Sequence, residues 1–249
     1  MRRSFLLSLL WSLLWAASVT AGDISSLNII GFSEDGAYLA YERYGMEDGS
    51  GEAYSEIYVV DVAANDFVTT PFRHKLFLED GQMDLNGLRR HNYELASGIL
   101  RQYHIVDGHQ GNLLIYHPIT DLTYQQDQTA MPAPENRRVR FAEYTDNPTF
   151  QPKIYGLALT HQPAGQTCPL YDLPAQMFTL KLESAGKEKV LQADKHLPGS
   201  RGCVMAYEIE RVYQAGIYLV VFLRAYQPGF EGHSVRHLVV SGTLRFEMK

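Results

Sequence analysis

Short runs of β-branched and aromatic residues, punctuated by glycine-bearing turns, recur through most of this chain and restrict it to sheet-based folds. Leu27-Asn28-Ile29-Ile30-Gly31-Phe32 leads to the turn Glu34-Asp35-Gly36, and Tyr38-Leu39-Ala40-Tyr41-Glu42-Arg43-Tyr44 follows it. Asp-Gly between two such runs signals a hairpin. A glycine-rich loop, Gly45 to Gly51, precedes Ser55-Glu56-Ile57-Tyr58-Val59-Val60-Asp61-Val62, and the polar Ala63-Ala64-Asn65-Asp66 turns the chain into Phe67-Val68-Thr69. This reads as a meander of four short strands. Further strands are expected over 154–159, 177–183, 189–193, 204–214, 217–226 and 236–246, and one strand pair at most around Gly111 to His117. Tyr218-Leu219-Val220-Val221-Phe222-Leu223 is apolar on both faces, the mark of a central strand covered on two sides.

The period changes between Asp84 and Tyr103. Leu85, Leu88, Asn92, Leu95 and Ile99 recur at helical spacing, with Asp84 placed as N-cap and Gly108 as a later stop. The spacing predicts one amphipathic helix packed on a sheet, although Gly87 and Gly98 weaken it. Residues 129–151 are rich in proline and charge and read as a connection that could divide the chain. The phrase Phe32-Ser33-Glu34-Asp35-Gly36-Ala37-Tyr38 resembles one propeller blade of the Tol-associated type. A propeller needs at least four blades, and no comparable second copy exists. The expected fold is mainly β (α+β): an antiparallel meander and sandwich-like sheets with one principal helix.

The opening residues say where this fold forms. Met1-Arg2-Arg3, an apolar stretch from Phe5 to Val19 and the small-residue exit Val19-Thr20-Ala21 make a secretory signal peptide, with cleavage between Ala21 and Gly22. The stretch falls short of the roughly 20 residues needed to span a bilayer, and no later run approaches that length. Residues 22–249 are therefore expected to form a single exported, β-rich domain without an integral membrane segment. Acids outnumber bases 28 to 22, which argues against nucleic acid and against charge-driven docking on anionic lipid. In an exported chain the only two cysteines, Cys168 and Cys203, most simply form one disulfide, with loop closure worth roughly 3–4 kcal/mol. Free thiols or a redox couple are the alternatives, but no Cys-x-x-Cys spacing supports reactivity.

Catalytic signatures are missing. There is no Gly-x-Ser-x-Gly, no phosphate loop, no dinucleotide fingerprint and no His-Glu-x-x-His. His233 and His237 have helical ligand spacing but strand context, which sets them roughly 13 Å apart, too far for one zinc ion. His104, Asp107 and His109 lack a fourth ligand. Asp48, Ser50 and Glu52 imitate the start of a calcium loop, but Ala53 and Val59 occupy positions that need glycine and a carboxylate. No catalytic, metal-binding or cofactor-binding residue is assigned, and no cofactor is expected. The glycine-rich loops at 48–51, 200–202 and 229–232 offer the best candidate binding surface, through Asp48, Ser50, Arg201, Glu231 and Arg236. Ordinary turn chemistry and an Arg201–acid pair would equally explain these residues.

Three stretches together resemble the family of predicted secreted bacterial proteins called domain of unknown function 2259. They are Gly31-Phe32-Ser33-Glu34-Asp35-Gly36 through Tyr41-Glu42-Arg43-Tyr44-Gly45 to Ile57-Tyr58-Val59-Val60-Asp61-Val62; Pro198-Gly199-Ser200-Arg201-Gly202-Cys203; and Gly229-Phe230-Glu231-Gly232 with Arg236 and Leu238. Residues from about 71 to 152 match loosely, and Val204 stands where the family often has proline. The resemblance implies an exported protein with no assigned activity and supplies no catalytic residues. The leading reading is a non-catalytic periplasmic or secreted domain that binds an envelope ligand or protein. One rival is an envelope hydrolase acting on glycan or peptide through carboxylates such as Glu42, Glu56 or Glu231. Another is a structural subunit of an envelope assembly.

Overall fold

The computed structural model describes residues 23–47, 50–77, 84–119, 137–169, 172–229 and 233–246. The segment read as a signal peptide, Asp48, the loop 230–232 with Glu231, and most of the proline-rich part of 129–151 lie outside the described residues. The strands are β1 (Ser26–Phe32), β2 (Tyr38–Met46), β3 (Glu52–Asp61), β4 (Asp66–Phe67) and β5 (Phe72–Phe77), followed by the helix α1 (Leu85–Gln102). After it come β6 (Asn112–Tyr116), β7 (Arg138–Ala142), β8 (Ile154–Cys168), β9 (Leu173–Ser184), β10 (Lys187–Ala193), β11 (Ala206–Ala215), β12 (Tyr218–Pro228) and β13 (His233–Thr243).

These strands form three antiparallel sheets. Sheet I is β1-β2-β3-β4 with β5 also paired to β3, sheet II is β10-β9-β8-β7, and sheet III is β13-β12-β11-β6. The Asp35-Gly36 turn joins β1 to β2 as the sequence suggests, with Gly36 at φ +76°. Among the described residues the chain is mainly β with a single long helix.

Sheet III lies in the middle. Val220 and Phe222 pack against Phe32, Leu39, Tyr41 and Val60 of sheet I and its flanking turns. Leu219, Val221 and Leu223, from the opposite face of β12, pack against Leu157, Phe178, Leu180 and Leu182 of sheet II. Each such side chain removed from water contributes about 1.5–3 kcal/mol, so the two-faced apolar run from 218 to 223 anchors both interfaces. α1 covers the other face of sheet I, where Ala96 and Leu100 meet Ile30, Ala40, Ile57 and Val59. The layers therefore run helix, sheet I, sheet III, sheet II.

Two details depart from the sequence reading. The buried seam of α1 is Leu88, Asn92, Ala96 and Leu100, whereas Leu95 is exposed. The small Ala96 lies against sheet I where a leucine would hold the helix away, and Asn92 Nδ2 donates to Ser55 O, Ser55 Oγ and Phe72 O, tying β3 to β5 beneath the helix. The stretch 129–151 is also more than a connection: residues 138–142 form β7, with Val139 and Phe141 buried and Arg138 and Arg140 exposed. This period-two pattern was hidden by the density of arginine and proline around it. Asp84 does cap α1, its carboxylate accepting from Gly87 N at 2.6 Å.

A bulge in β11 sets the chemistry of sheet III. Ile209 pairs with Leu223 and Arg211 with Phe222, leaving Glu210 as the extra residue. Tyr207 and Ile209 face sheet II before it and Val212 after it. The three-residue step between Ile209 and Val212 is how the sequence encodes the bulge.

Candidate functional site

β13 is the edge strand of sheet III, and its outward backbone groups are occupied one after another. Ser25 N donates to Val235 O at 3.0 Å and Val235 N to Asp23 O at 2.8 Å, so residues 23–25 lie along this edge as a strap. Arg43 Nη1 donates to His237 O at 2.8 Å, Ser241 N to Asn65 Oδ1 at 2.8 Å, and Lys189 Nζ to Thr243 O at 2.5 Å. A bare edge invites pairing with other chains; here it is blunted by side chains from sheets I and II. Asn65, at φ +55°, also donates to Gln192 Oε1 at 2.8 Å, so one residue links all three sheets.

Beneath the strap lies a buried polar chain. Ser25 Oγ is 2.8 Å from His237 Nδ1, and His237 Nε2 is 2.7 Å from Glu210 Oε2. Arg211 pairs with Glu210 at 3.2 Å, and Arg224 pairs with Glu208. Burial alone would raise the Glu210 carboxyl, but the hydrogen bond and charge of His237, with Arg211 and Arg224, hold it below the ordinary carboxylate value. Serine, histidine and glutamate in a row invite comparison with a hydrolase triad. The ring is reversed, however: a triad serine meets Nε2 and its carboxylate meets Nδ1. All three side chains are buried, and neither Ser25 nor Glu210 lines any of the three hollows described below. The chain of contacts is structural.

Two adjoining hollows, of about 270 and 330 Å³, open beside β13 where sheet I faces the turn at Gly199–Arg201. They share Arg43, Arg73, Ser200, Arg201 and Leu238. Strand alternation supplies the floor. Tyr41 and Arg43 on β2, Tyr54, Glu56 and Tyr58 on β3, and Arg73 and Lys75 on β5 all line it, while Glu42 and Ile57 project to the helix side. Tyr54 lies across Gly45, where a Cβ would fall 2.9 Å from the phenol oxygen, and Tyr54 accepts a hydrogen bond from Arg236.

Most cations of this cleft are already engaged. Arg43 Nη2 lies 2.6 Å from Glu56 Oε2 and also bonds Tyr58, but its buried Nε has no partner. Arg201 grips Asp194 through two bonds of 2.5 and 3.1 Å and sits 4.8 Å above the Phe178 ring. Arg236 pairs with Asp23 of the strap at 2.8 Å. Arg73, 3.3 Å from Glu56, and Lys75, paired with Glu47, have half-exposed side chains. They are the charges that solvent reaches most readily. Burial opposes ionisation of Glu56, but Arg43, Arg73 and the Tyr58 hydroxyl outweigh it and depress the carboxyl. Desolvation pushes the Tyr54 and Tyr41 phenols upward, so they remain neutral platforms at any ordinary pH.

Of the five surface residues read from the sequence, Arg201 and Arg236 come together in this cleft. Ser50 sits in the β2–β3 turn, accepting from Glu52 N, and lines neither hollow. The carboxylates of the hydrolase reading part company. Glu42 is held on the helix side by Arg89 and Ser55, and Glu56 points into the cleft, so the two cannot flank one bond. Arg43, Tyr54, Tyr58, Arg73 and Lys75 were not singled out in the sequence; their signal is the alternation Tyr-x-Arg, Tyr-x-Glu-x-Tyr and Arg-x-Lys along three strands. A third hollow, about 650 Å³, lies at sheet II among Arg138, Arg140, Gly156, Glu183 and Lys187. Its charges are solvated, Arg138 among them, and it lacks converging buried polar groups. Among the described residues no three His, Cys, Asp or Glu side chains gather to hold a metal ion.

The disulfide Cys168–Cys203 forms the back of this region, with its Cα atoms 5.5 Å apart. It joins the end of β8 to the segment entering β11 and packs with Ala175 and Met205. Gly202, next to Cys203, lines the charged hollow, so the bond fixes the turn that walls the cleft. A disulfide of this kind belongs to proteins that fold in an oxidising compartment, and among the described residues no helix is long and apolar enough to cross a membrane. Stacked antiparallel sheets, a covalent staple and a polar cleft define the class as a β-rich, disulfide-bonded fold. The chain belongs to the DUF2259 family, described as predicted secreted protein, whose model matches residues 40–243. No curated protein and no solved structure matches it.

Proposed function

We propose that the protein is an exported, non-catalytic binding domain of the cell envelope and that the cleft beside β13 is its ligand seat. The observation that carries this reading is a gathering of cations, two of them half-exposed. The two hollows are lined by Arg43, Arg73, Lys75, Arg201 and Arg236, whose charges are balanced by Glu47, Glu56 and Asp66 on the walls and by Asp23 and Asp194 behind Arg236 and Arg201. Arg73 and Lys75 keep about half of their side chains in solvent, and their remaining N–H donors can meet an anionic group there. The floor is preorganised, since Arg43, Arg201 and Arg236 are each fixed by a carboxylate. The charge of the chain as a whole still disfavours anionic lipid surfaces.

A photo-crosslinking residue placed at Phe67 or Lys75 in intact cells of the source organism tests the seat, with Lys181 on the outer face of sheet II as control. Adducts from the cleft positions and none from Lys181 are expected. Equal labelling at all three positions, or adducts from Lys181 alone, would contradict the reading.

A further inference from the structure

The two hollows differ in chemistry, and the difference identifies a ligand class. The smaller is lined by rings, Tyr41, Tyr58, Phe67 and Phe178, with Val60, Val239 and Val240 beside them. Tyr58 stacks on Tyr41 at 4.9 Å with an interplanar angle of 6°, and Phe67 leans against Tyr58 at 5.2 Å while leaving 43% of its own surface exposed. Around this shelf stand Asn65, Asp66, Gln192 and Ser200, which between them can donate and accept hydrogen bonds. The larger hollow holds the charges, and Arg43 and Arg73 belong to both.

A bound molecule that satisfies both must carry a compact acidic group directly attached to a body with one apolar face and a rim of hydroxyls. We infer that the cleft takes an acidic sugar, a pyranose bearing a carboxylate or phosphate; this rests on the cleft being the ligand seat. The acid group lies against the half-exposed Arg73 and Lys75. Guanidinium meets such a group through paired N–H donors. The C–H face of the ring lies on the exposed part of Phe67, and its hydroxyls meet the exposed Asp66 and Ser200. Combined, the two hollows hold one or two sugar rings and exclude a folded partner. An acidic peptide, which brings its own N–H and C=O groups, is the alternative occupant that the dipeptide below tests.

The test is an NMR titration of the ¹⁵N-labelled, disulfide-bonded protein with glucuronate, glucose 6-phosphate, glucose, acetate, inorganic phosphate and the dipeptide N-acetyl-Glu-Phe. Glucuronate or glucose 6-phosphate is expected to shift the signals of Phe67, Arg73 and Lys75. Glucose and the matching small anion, acetate or phosphate, should each bind at least tenfold more weakly. Which acidic sugar is tighter tells a carboxylate source from a phosphate source. Phe67→Ala should weaken the acidic sugar at least fivefold and leave acetate unaffected, whereas Arg73→Ala with Lys75→Ala should abolish both. The fold of each variant is checked from its unshifted sheet III signals. Glucose binding as tightly as the acidic sugars, or acidic sugars shifting only residues outside the cleft, would overturn the inference. If the dipeptide alone shifts the cleft, the sugar assignment falls and the seat stands. If no acidic probe reaches the cleft and the crosslinks also fail, both fall.

Discussion

At the scale of single residues, the molecule depends on polar side chains placed where water cannot reach. Glu210 is the clearest case: a bulge turns it inward, and His237, Arg211 and Arg224 compensate its burial. Removing one partner of a buried pair leaves the other uncompensated, so Glu210→Gln should cost about 3 kcal/mol at neutral pH. The depressed carboxyl also fixes a pH dependence. Its stabilisation is complete above the unfolded value, near 4.5, and is lost as pH falls through the lower folded value. Melting curves from pH 7 to pH 3 should therefore show wild type losing more stability on acidification than Glu210→Gln. Parallel curves would refute the assignment. None of this was plain from the sequence, because a lone glutamate in a strand reads as a wet face. Only the interrupted alternation from Ile209 to Val212 hinted at a bulge. Arg201 was legible as a residue of interest, while its bidentate grip on Asp194 required the fold.

At the scale of elements, the most readable segments were those whose pattern matched one environment throughout. The run from 218 to 223 declared a doubly covered strand, and Asp84 declared a helix start. Less readable were segments with a mixed setting, such as β7 among arginines and prolines, or β5, whose alternate residues serve the helix interface and the cleft. The helix keeps an avoidable weakness at Gly98, which is exposed and where an added methyl group would meet nothing within 4 Å. Gly98→Ala should stabilise the protein by about 0.5–1 kcal/mol, read as a higher urea midpoint with an unchanged slope. No change, or a loss, would mean that α1 is not an ordinary helix there. The strap of residues 23–25 makes the opposite prediction. A chain beginning at Ser26 loses Asp23 from Arg236 and Ser25 from His237. It should melt at a lower temperature, with a loss of about 2–3 kcal/mol, whereas Asp23→Asn, which keeps the strap backbone, should lose less. Equal stability of all three forms would show that the strap contributes nothing to the edge.

For the whole molecule, three stacked sheets explain why so much of an acidic, tyrosine-rich chain can be buried, and why a cleft forms where the stack is open beside β13. The sequence reading anticipated a mainly β fold with one helix and a disulfide. It could not anticipate the stacking order, because which faces meet depends on contacts between residues more than a hundred positions apart, such as Arg43 with His237. We propose that the strap and the staple form in a chain cut after Ala21 that folds where thiols oxidise. Intact-mass measurement of the protein isolated from its native cells tests that proposal directly. The predicted mass is that of residues 22–249 less two hydrogens; a chain still carrying its first 21 residues, or one with both thiols reduced, would contradict it.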